Sequence, residues 1–305
     1  MGEIIKKKQS YRAKKIKSTG LHAWGVLRFL LLFGMSFLII KPFVTKITMA
    51  FMLPADLLDA TVNQIPKHLS TYYWNVALEG MNLSKTLINS ISLTLLVSIT
   101  QLSVSALVGY SLSRFKFKGR NFLYAMVIIF MLVPSSTYSI AQYLQFRYPL
   151  GMNLSLIDTL LPLFVLSLGG LGFKQGLYIY LFMTFFRGLP KNIEDAAMVD
   201  GAGSFKTFWS IMLPNSKSIL ITVSIFAFSW QWTDINYAKN FFPNMNIIAS
   251  QISQIYIRVG LTEDPIGSAI AKNAACIILI LPLLVLFVLG QRHLTQSISR
   301  TGMAN

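Results

Sequence analysis

A polar segment between two apolar windows contains the residues whose types and spacing could do chemistry in this sequence. Glu194 and Asp195 are followed directly by Ala196 and Ala197, and Gly201 comes soon after them. Acidic residues are favoured in the first turn of a helix, and glycine readily adopts the positive φ that ends one. The pattern predicts a short helix with a flat alanine face. Such a helix could press into a groove of another protein and pair with basic groups there.

The residues after Gly201 predict a second short helix. Ser204 could cap it, as Asn192 could cap the first helix. Pro214 is expected to end the second helix and turn the chain back toward the membrane. Four large apolar residues recur within it at helical spacing: Phe205, Phe208, Trp209 and Met212. An ordinary amphipathic loop on the membrane surface explains the same residues, so both interpretations stay open at this point.

Composition indicates that this segment belongs to a membrane protein. The chain has 305 residues, of which 54% are hydrophobic and only 12% charged, and its mean hydropathy is +0.57. A soluble domain typically has about 25% charged residues. The windows long enough to cross a bilayer are roughly residues 24–40, 86–112, 122–143, 160–186, 219–236 and 269–289. We therefore predict an all-α integral membrane fold with about six transmembrane helices.

Three of these windows contain or adjoin residues that disturb a helix. Pro134 lies in the middle of the third window, where we expect a kink or a break. The first span is expected to end near Pro42. The glycines between residues 169 and 176 could bend the fourth window without ending it, and Gly172 and Gly176 have the spacing of a helix-packing motif.

The positive charges predict how the chain lies in the membrane. The net charge is +16, but the basic residues form short clusters and no continuous stripe, which argues against nucleic-acid binding. With a cytoplasmic amino terminus, six crossings place the basic clusters at 6–17, 114–120 and 187–217 inside. We predict a multi-pass protein of the bacterial plasma membrane with both termini cytoplasmic. Its predicted parts are a basic segment at 1–20, a transmembrane domain at 21–295 and a tail at 296–305.

Catalytic and metal-binding residues are scarce in the predicted spans. Cys276 is the only cysteine, and the three histidines lie outside the spans. No nucleophile–base pair and no Walker motif is visible. We therefore predict that the chain is not an enzyme and binds no metal or cofactor itself.

Polar and aromatic residues in or near the spans are candidates for a substrate pathway, because polar groups are costly in lipid. The tentative set is Gln142, Trp230, Trp232, Asp234 and Asn236. Interface anchoring and hydrogen bonds between helices are the simpler explanation for any one of these residues.

The polar segment resembles the EAA loop of ABC importer permeases. Asp195-Ala-Ala, three residues, Gly201, nine residues and Ile211-x-Leu213-Pro214 reproduce that family's spacing, with Asp195 in place of its glutamate and Glu194 beside it. In that family the loop is a coupling helix that docks into the ATP-hydrolysing subunit. The resemblance implies a cytoplasmic coupling loop at 190–214 with these functional residues: Glu194, Asp195, Ala196, Ala197, Gly201, Ile211, Leu213 and Pro214.

The resemblance extends over about residues 20–295, and some of its residues indicate one subgroup of the family. Ala106–Arg120 and Trp232-Thr-Asp234 are similar to the sugar permeases of the maltose type, whereas the tail matches poorly. It implies a type I ABC importer permease fold and import of a carbohydrate, in particular an oligosaccharide.

The implied partners are a second, related permease subunit, dimeric cytoplasmic ATP-binding subunits that hold ATP and magnesium, and an extracytoplasmic solute-binding protein. A permease for a non-sugar solute is one alternative. A secondary transporter or channel is another, and it would require intramembrane ion ligands or an inverted repeat.

Overall fold

The computed structural model describes residues 2–152, 154–258, 260 and 263–302. Side chains are described between residues 24 and 292, apart from 150, 153, 253, 256–259, 261 and 262. All regular structure in these residues is helical, which confirms the predicted all-α fold. The α-helices before the polar segment are α1 (Gly2–Met49), α2 (Pro54–Leu58), α3 (Tyr72–Gly80), α4 (Leu83–Arg114), α5 (Arg120–Leu132), α6 (Ser135–Arg147), α7 (Leu161–Leu168) and α8 (Gln175–Gly188).

The second half of the chain begins with the polar segment. Its helices are α9 (Asn192–Val199), α10 (Ser204–Thr207), a π-helical turn (Phe208–Met212), α11 (Leu213–Asn215), α12 (Lys217–Thr233), α13 (Ile235–Phe241), α14 (Ile248–Arg258) and α15 (Pro265–Gly302).

The first helix is longer than the sequence predicted. α1 includes the backbone of the basic segment and continues through Pro42 to Met49, so the expected end near Pro42 is wrong. A proline removes one backbone donor, but its φ is compatible with a helix. The side chains of the segment 1–20 and of the tail 296–305 lie outside those that the structure describes.

Three helical segments of the described chain are long and apolar enough to cross a bilayer alone, namely Trp24–Met49, Leu83–Arg114 and Pro265–Arg292. Two further pairs of helices are each bent at a short break, and there are five candidate spans if each pair counts as one. In one pair, α5 and α6 meet at 103° where the break at Pro134 was expected. In the other, residues Ser204–Asn215 meet α12 at 80°.

The predicted fourth span consists of two helices. α7 ends at Leu168 and α8 begins at Gln175, so the turn between them ends the helix and does more than bend it. Gly170 and Lys174 have φ of +73° and +60° in this turn. These left-handed conformations cannot continue a right-handed helix.

Side-chain amides pair the free backbone groups of the turn between α7 and α8. Gln175 accepts a hydrogen bond from the Gly172 nitrogen at 2.9 Å and donates one to the Ser167 carbonyl at 2.8 Å. Gln101 of α4 donates to the Phe173 carbonyl at 3.5 Å. Unpaired backbone groups are costly at membrane depth, so these amides allow a span to be broken there.

Glycines set how closely α4, α5 and α8 approach one another. A Cβ atom on Gly109 of α4 would lie 2.6 Å from the Phe182 Cβ and 2.9 Å from the Met183 nitrogen of α8. A Cβ on Gly176 would lie 3.2 Å from the Met131 nitrogen of α5. The backbones of α4 and α8 are therefore in near-direct contact, and α5 also packs closely on α8.

We predict that Gly109→Ala lowers the free energy of unfolding by about 1–3 kcal/mol, the usual cost of overpacking a close contact. The Phe182 Cβ and the Met183 backbone cannot move without displacing α8. Thermal unfolding of the detergent-purified protein measures the effect.

Gly34→Ala is the matched control, because Gly34 is also helical and a Cβ there meets nothing within 4 Å. Alanine favours a helix over glycine, so this variant should be at least as stable as the parent. Equal melting temperatures for the two variants would contradict the close packing of α4 on α8.

Candidate functional site

The polar loop folds as two short helices separated by a glycine turn. Gly201 has a φ of +77° and comes just after Asp200, the C-cap residue of α9, so it lies at the helix end that the sequence predicted. The predicted N-caps are wrong, because Asn192 and Ser204 are each the first residue inside a helix. The cap positions are Lys191 and Gly203, and neither provides a side-chain hydrogen bond.

Pro214 does not end the second helix, contrary to the expectation from sequence. It lies inside α11, and the chain bends toward α12 only after Asn215. A proline ring needs room at the carbonyl four residues earlier, and the π-helical turn just before it has a wider backbone. The Asn215 side chain donates to the Ile211 carbonyl at 2.8 Å, and the Ser216 hydroxyl donates to the Leu213 carbonyl at 2.7 Å.

The two adjacent acids of the loop have different surroundings. Glu194 is 6% exposed, and its carboxylate lies 3.2 Å from the Nε of Arg114 at the end of α4. Arg114 also donates to the Leu189 carbonyl at 2.7 Å, just before the loop. Asp195 is exposed. Glu194 therefore ties the loop to α4, and Asp195 is available to a partner.

The two alanines are also divided between inside and outside. Ala197 is 4% exposed and packs inward, whereas Ala196 is exposed beside Asp195. Consecutive residues of a helix point about 100° apart, so both alanines cannot share one outward face. The outer face of α9 instead combines Asp195 and Ala196 with the exposed Met198 and Val199.

The apolar residues of the second helix divide in the same manner. Phe208 and Met212 are 2% and 0% exposed, in one core cluster with Tyr110 of α4 and residues of α8 and α12. Phe205 and Trp209 are 73% and 60% exposed, and their rings stack with centroids 6.4 Å apart. At the carboxyl end of the loop, Ile211 and Leu213 are half-buried and Pro214 is exposed.

Residues 101–300 match the model of the family described as binding-protein-dependent transport system inner membrane component. The chain belongs to this family. It is therefore the integral membrane permease subunit of a transport system, as the resemblance implied.

Curated relatives match the permease over most of its length. It is 25% identical to the trehalose/maltose transport system permease protein MalG of Thermococcus litoralis, with 89% of this chain and 95% of that protein covered. It is 25% identical to the probable starch degradation products transport system permease protein AmyC of Thermoanaerobacterium thermosulfurigenes, with 87% and 91% covered.

A solved structure confirms the predicted fold. The permease superimposes with a TM-score of 0.71 on one chain of the crystal structure of a bacterial ABC transporter involved in the import of the acidic polysaccharide alginate. The sequence identity is 18%, and the match covers 89% of the permease and 96% of that chain. The two chains therefore share the fold of an ABC importer permease.

Two of the predicted pathway residues are joined through Tyr237 of α13, which the sequence did not single out. The Tyr237 hydroxyl donates to the Gln142 side chain of α6 at 2.8 Å. Asp234 accepts from the Tyr237 nitrogen at 2.9 Å and from the Asn236 nitrogen at 3.3 Å, so it caps α13. Gln142 and Asp234 are buried, and Asn236 is exposed.

The two tryptophans of α12 have different surroundings. Trp232 is 1% exposed, stacks on Phe228 and donates to the Leu279 carbonyl at 2.9 Å, which favours a role in packing α12 on α15. Trp230 is half-buried between Tyr178 and Phe226, with centroids 5.9 and 5.7 Å away.

Lys174 was not singled out from the sequence. It is exposed in the turn between α7 and α8, and its Nζ lies 5.7 Å from the Trp230 ring centroid and 5.6 Å from that of Phe173. A charged residue inside an apolar window is the signal that would have found it.

We predict that Glu194→Gln lowers the free energy of unfolding by about 3–5 kcal/mol, because it leaves the buried Arg114 charge without its partner. Adding Arg114→Met to this variant removes the unpaired charge and should recover most of the loss. Thermal unfolding of the purified single and double variants measures the coupling between the two residues.

Asp195→Asn is the matched control, since it neutralises the neighbouring acid on the exposed side of the same helix. Its unfolding temperature should stay close to that of the parent. Additive losses in the Glu194 and Arg114 double variant would show that the pair does not hold the loop to α4.

Proposed function

We propose that this permease is the membrane-spanning subunit of an ATP-driven, binding-protein-dependent importer, and that it translocates a carbohydrate, in particular an oligosaccharide. The observation that supports the ATP-driven part is the fold of the loop at 190–214, which has one side fastened to the core and the other exposed. The relatives support the substrate class, since their names refer to trehalose and maltose, starch degradation products and arabinooligosaccharides.

The exposed side of the loop is the proposed docking surface for an ATP-hydrolysing subunit. It combines the carboxylate of Asp195 with the small side chain of Ala196 and with the exposed apolar side chains of Val199, Phe205 and Trp209. The acid can pair with a basic group in the partner's groove, while the apolar side chains bury surface there. This gives the loop a mixed polar and apolar contact typical of a protein interface.

The buried side of the loop is the proposed route by which motion reaches the membrane. Glu194 is paired with Arg114 of α4, and Phe208 and Met212 pack against α4, α8 and α12. When ATP closes the partner subunits, the loop would be displaced and these helices would move with it. The permease would then change between inward-facing and outward-facing states, an equilibrium that nucleotide binding shifts.

We propose the remaining partners from the family resemblance. The described part of the chain has one such loop, and a closing ATPase dimer would offer two grooves, so we propose a pore of two permease chains, the second related but different. ATP and magnesium would be held by the ATPase subunits, and this chain would bind neither. An extracytoplasmic solute-binding protein would deliver the sugar, and both termini would be cytoplasmic. Gln142, Trp230, Asp234 and Asn236 remain proposed pathway residues.

We predict that Gly201→Arg abolishes ATP-dependent sugar uptake by a stably expressed complex. Gly201 has a φ of +77°, which an arginine adopts only with strain, and its Cβ would point into open space beside the docking surface. The long charged side chain would hold the loop away from its groove. Sugar uptake into sealed, right-side-out vesicles that contain ATP and the rate of ATP hydrolysis are measured together.

Gly151→Arg is the matched control, because Gly151 has a φ of +78° and nothing within 4 Å of its Cβ, but it lies in the linker between α6 and α7. The same backbone strain there should leave uptake coupled to ATP. Uptake that survives Gly201→Arg in an assembled complex would refute docking through this loop.

A further inference from the structure

If α8 crosses the bilayer, Lys174 lies at a depth where a cation needs a water-filled or protein-lined surrounding. It directly precedes α8, whose 14 residues end at Gly188 beside the coupling loop. At 1.5 Å per residue, Lys174 is about 21 Å from that end. The hydrocarbon core of a bilayer is about 30 Å thick, so Lys174 lies inside it if α8 is roughly perpendicular to the membrane. Charged residues at such depth usually face a substrate or ion pathway.

Three structural features come together at this level. α5 has 13 residues between the basic loop and the break at Pro134, which places that break about 20 Å from its inner end. Trp230 is at a similar distance from the start of α12, about 20 Å. Lys174 lines a narrow cleft with Ser135 and Tyr138 of α6. Trp230 lies outside the lining of that cleft, and its ring centroid is 5.7 Å from the Lys174 Nζ.

The position of Lys174 is not explained by the packing of the turn. Gln175 and Gln101 already pair the free backbone groups there. Within the residues that the structure describes, the Lys174 ammonium lies over the rings of Phe173 and Trp230 and forms no ion pair with a carboxylate. An aromatic face stabilises an ammonium group only modestly compared with a carboxylate in a desolvated site.

The groups around Lys174 match the chemistry of an acidic sugar. Trp230 is half-buried, and its ring stacks with those of Tyr178 and Phe226. Only the exposed part of this ring is open to the apolar face of a pyranose. The hydroxyl groups of Ser135 and Tyr138 can donate to or accept from sugar hydroxyls. A neutral sugar would leave the ammonium without an anion, whereas a uronic acid supplies a carboxylate at the same place.

We propose that Lys174, Trp230, Ser135 and Tyr138 form part of a binding site on the translocation pathway for an oligosaccharide that contains uronic acid. Lys174 pairs with the sugar carboxylate, and Trp230 packs against a pyranose ring. The proposal rests on the function proposed above and adds the charge of the substrate.

The test uses the complete transporter in proteoliposomes of neutral lipid, with its partner permease, ATPase subunits and binding protein. ATP-dependent uptake of a uronic-acid trisaccharide is compared with that of a neutral trisaccharide. We expect the parent to take up the acidic sugar, and Lys174→Gln to reduce that uptake at least ten-fold, the usual effect of losing a charge-assisted contact. Lys174→Arg should retain most of it, and any uptake of the neutral sugar should be unchanged by either variant.

Lys239→Gln is the matched control, because Lys239 is an exposed lysine of α13 and its loss removes the same charge. It should leave acidic-sugar uptake within two-fold of the parent. A second measurement tests the proposal without this variant, in case the Lys174→Gln complex does not assemble. In the parent complex, the uronic-acid trisaccharide should slow acylation of Lys174 by an amine reagent, as read by mass spectrometry, and the neutral trisaccharide should not.

Three results would overturn the proposal. The first is that the complex takes up only the neutral sugar and that Lys174→Gln does not change this uptake. The proposed function as a sugar importer would then still stand. The second is an effect of Lys174→Gln that appears only with anionic lipid and is equal for both sugars, which would assign Lys174 to lipid headgroups. The third is ATP-coupled uptake of a non-sugar solute with neither sugar transported, which would refute the proposed carbohydrate substrate as well.

Discussion

The contact between α4 and α8 is the constraint on which the rest of the permease depends. Gly109 lets the two backbones approach so closely that a Cβ at this position would lie 2.6 Å from the Phe182 Cβ. Farther along α4, Tyr110 contacts Phe208 and Arg114 pairs with Glu194, so the loop at 190–214 is attached to this helix. A loop fastened to a closely packed helix pair moves with it as one body, because packed interiors have few voids to absorb a displacement. The proposed transmission of work from an ATPase requires this rigidity.

The bilayer imposes a second constraint, which the broken spans satisfy with side chains. A free N–H or carbonyl at membrane depth costs several kcal/mol, so a span can be interrupted only where other groups pair with the backbone. Gln101 and Gln175 do this between α7 and α8, and Asp234 does it where α13 begins. Asp234, which the sequence indicated as a pathway candidate, therefore also has a structural role. Gln101 and Gln175 pair the backbone groups of the turn in which Lys174 lies.

Local conformation was predictable from sequence wherever one residue determined it, in the loop at 190–214 and in the third predicted span. Gly201 ends α9 because glycine has little penalty at positive φ, and Pro134 separates α5 from α6 because it removes a backbone donor and crowds the preceding turn. The start of each loop helix was less predictable. Asn192 and Ser204 are good caps in isolation, but entry into a helix one residue earlier costs little, and tertiary contacts decide between the two.

The sequence by itself determined that this protein is a helical membrane protein, because apolar window length and charge asymmetry are local properties of the chain. The residue spacing from Asp195 to Pro214 carried the resemblance to a permease. Only the tertiary structure decided which acid of the loop is fastened and which is free. Glu194 and Asp195 are chemically alike, and their roles differ because the helix rotates by about 100° between them and α4 places Arg114 on one side. The same holds for Lys174, which is one lysine among many in the sequence. Its place beside Trp230 arises only when α6, α8 and α12 meet.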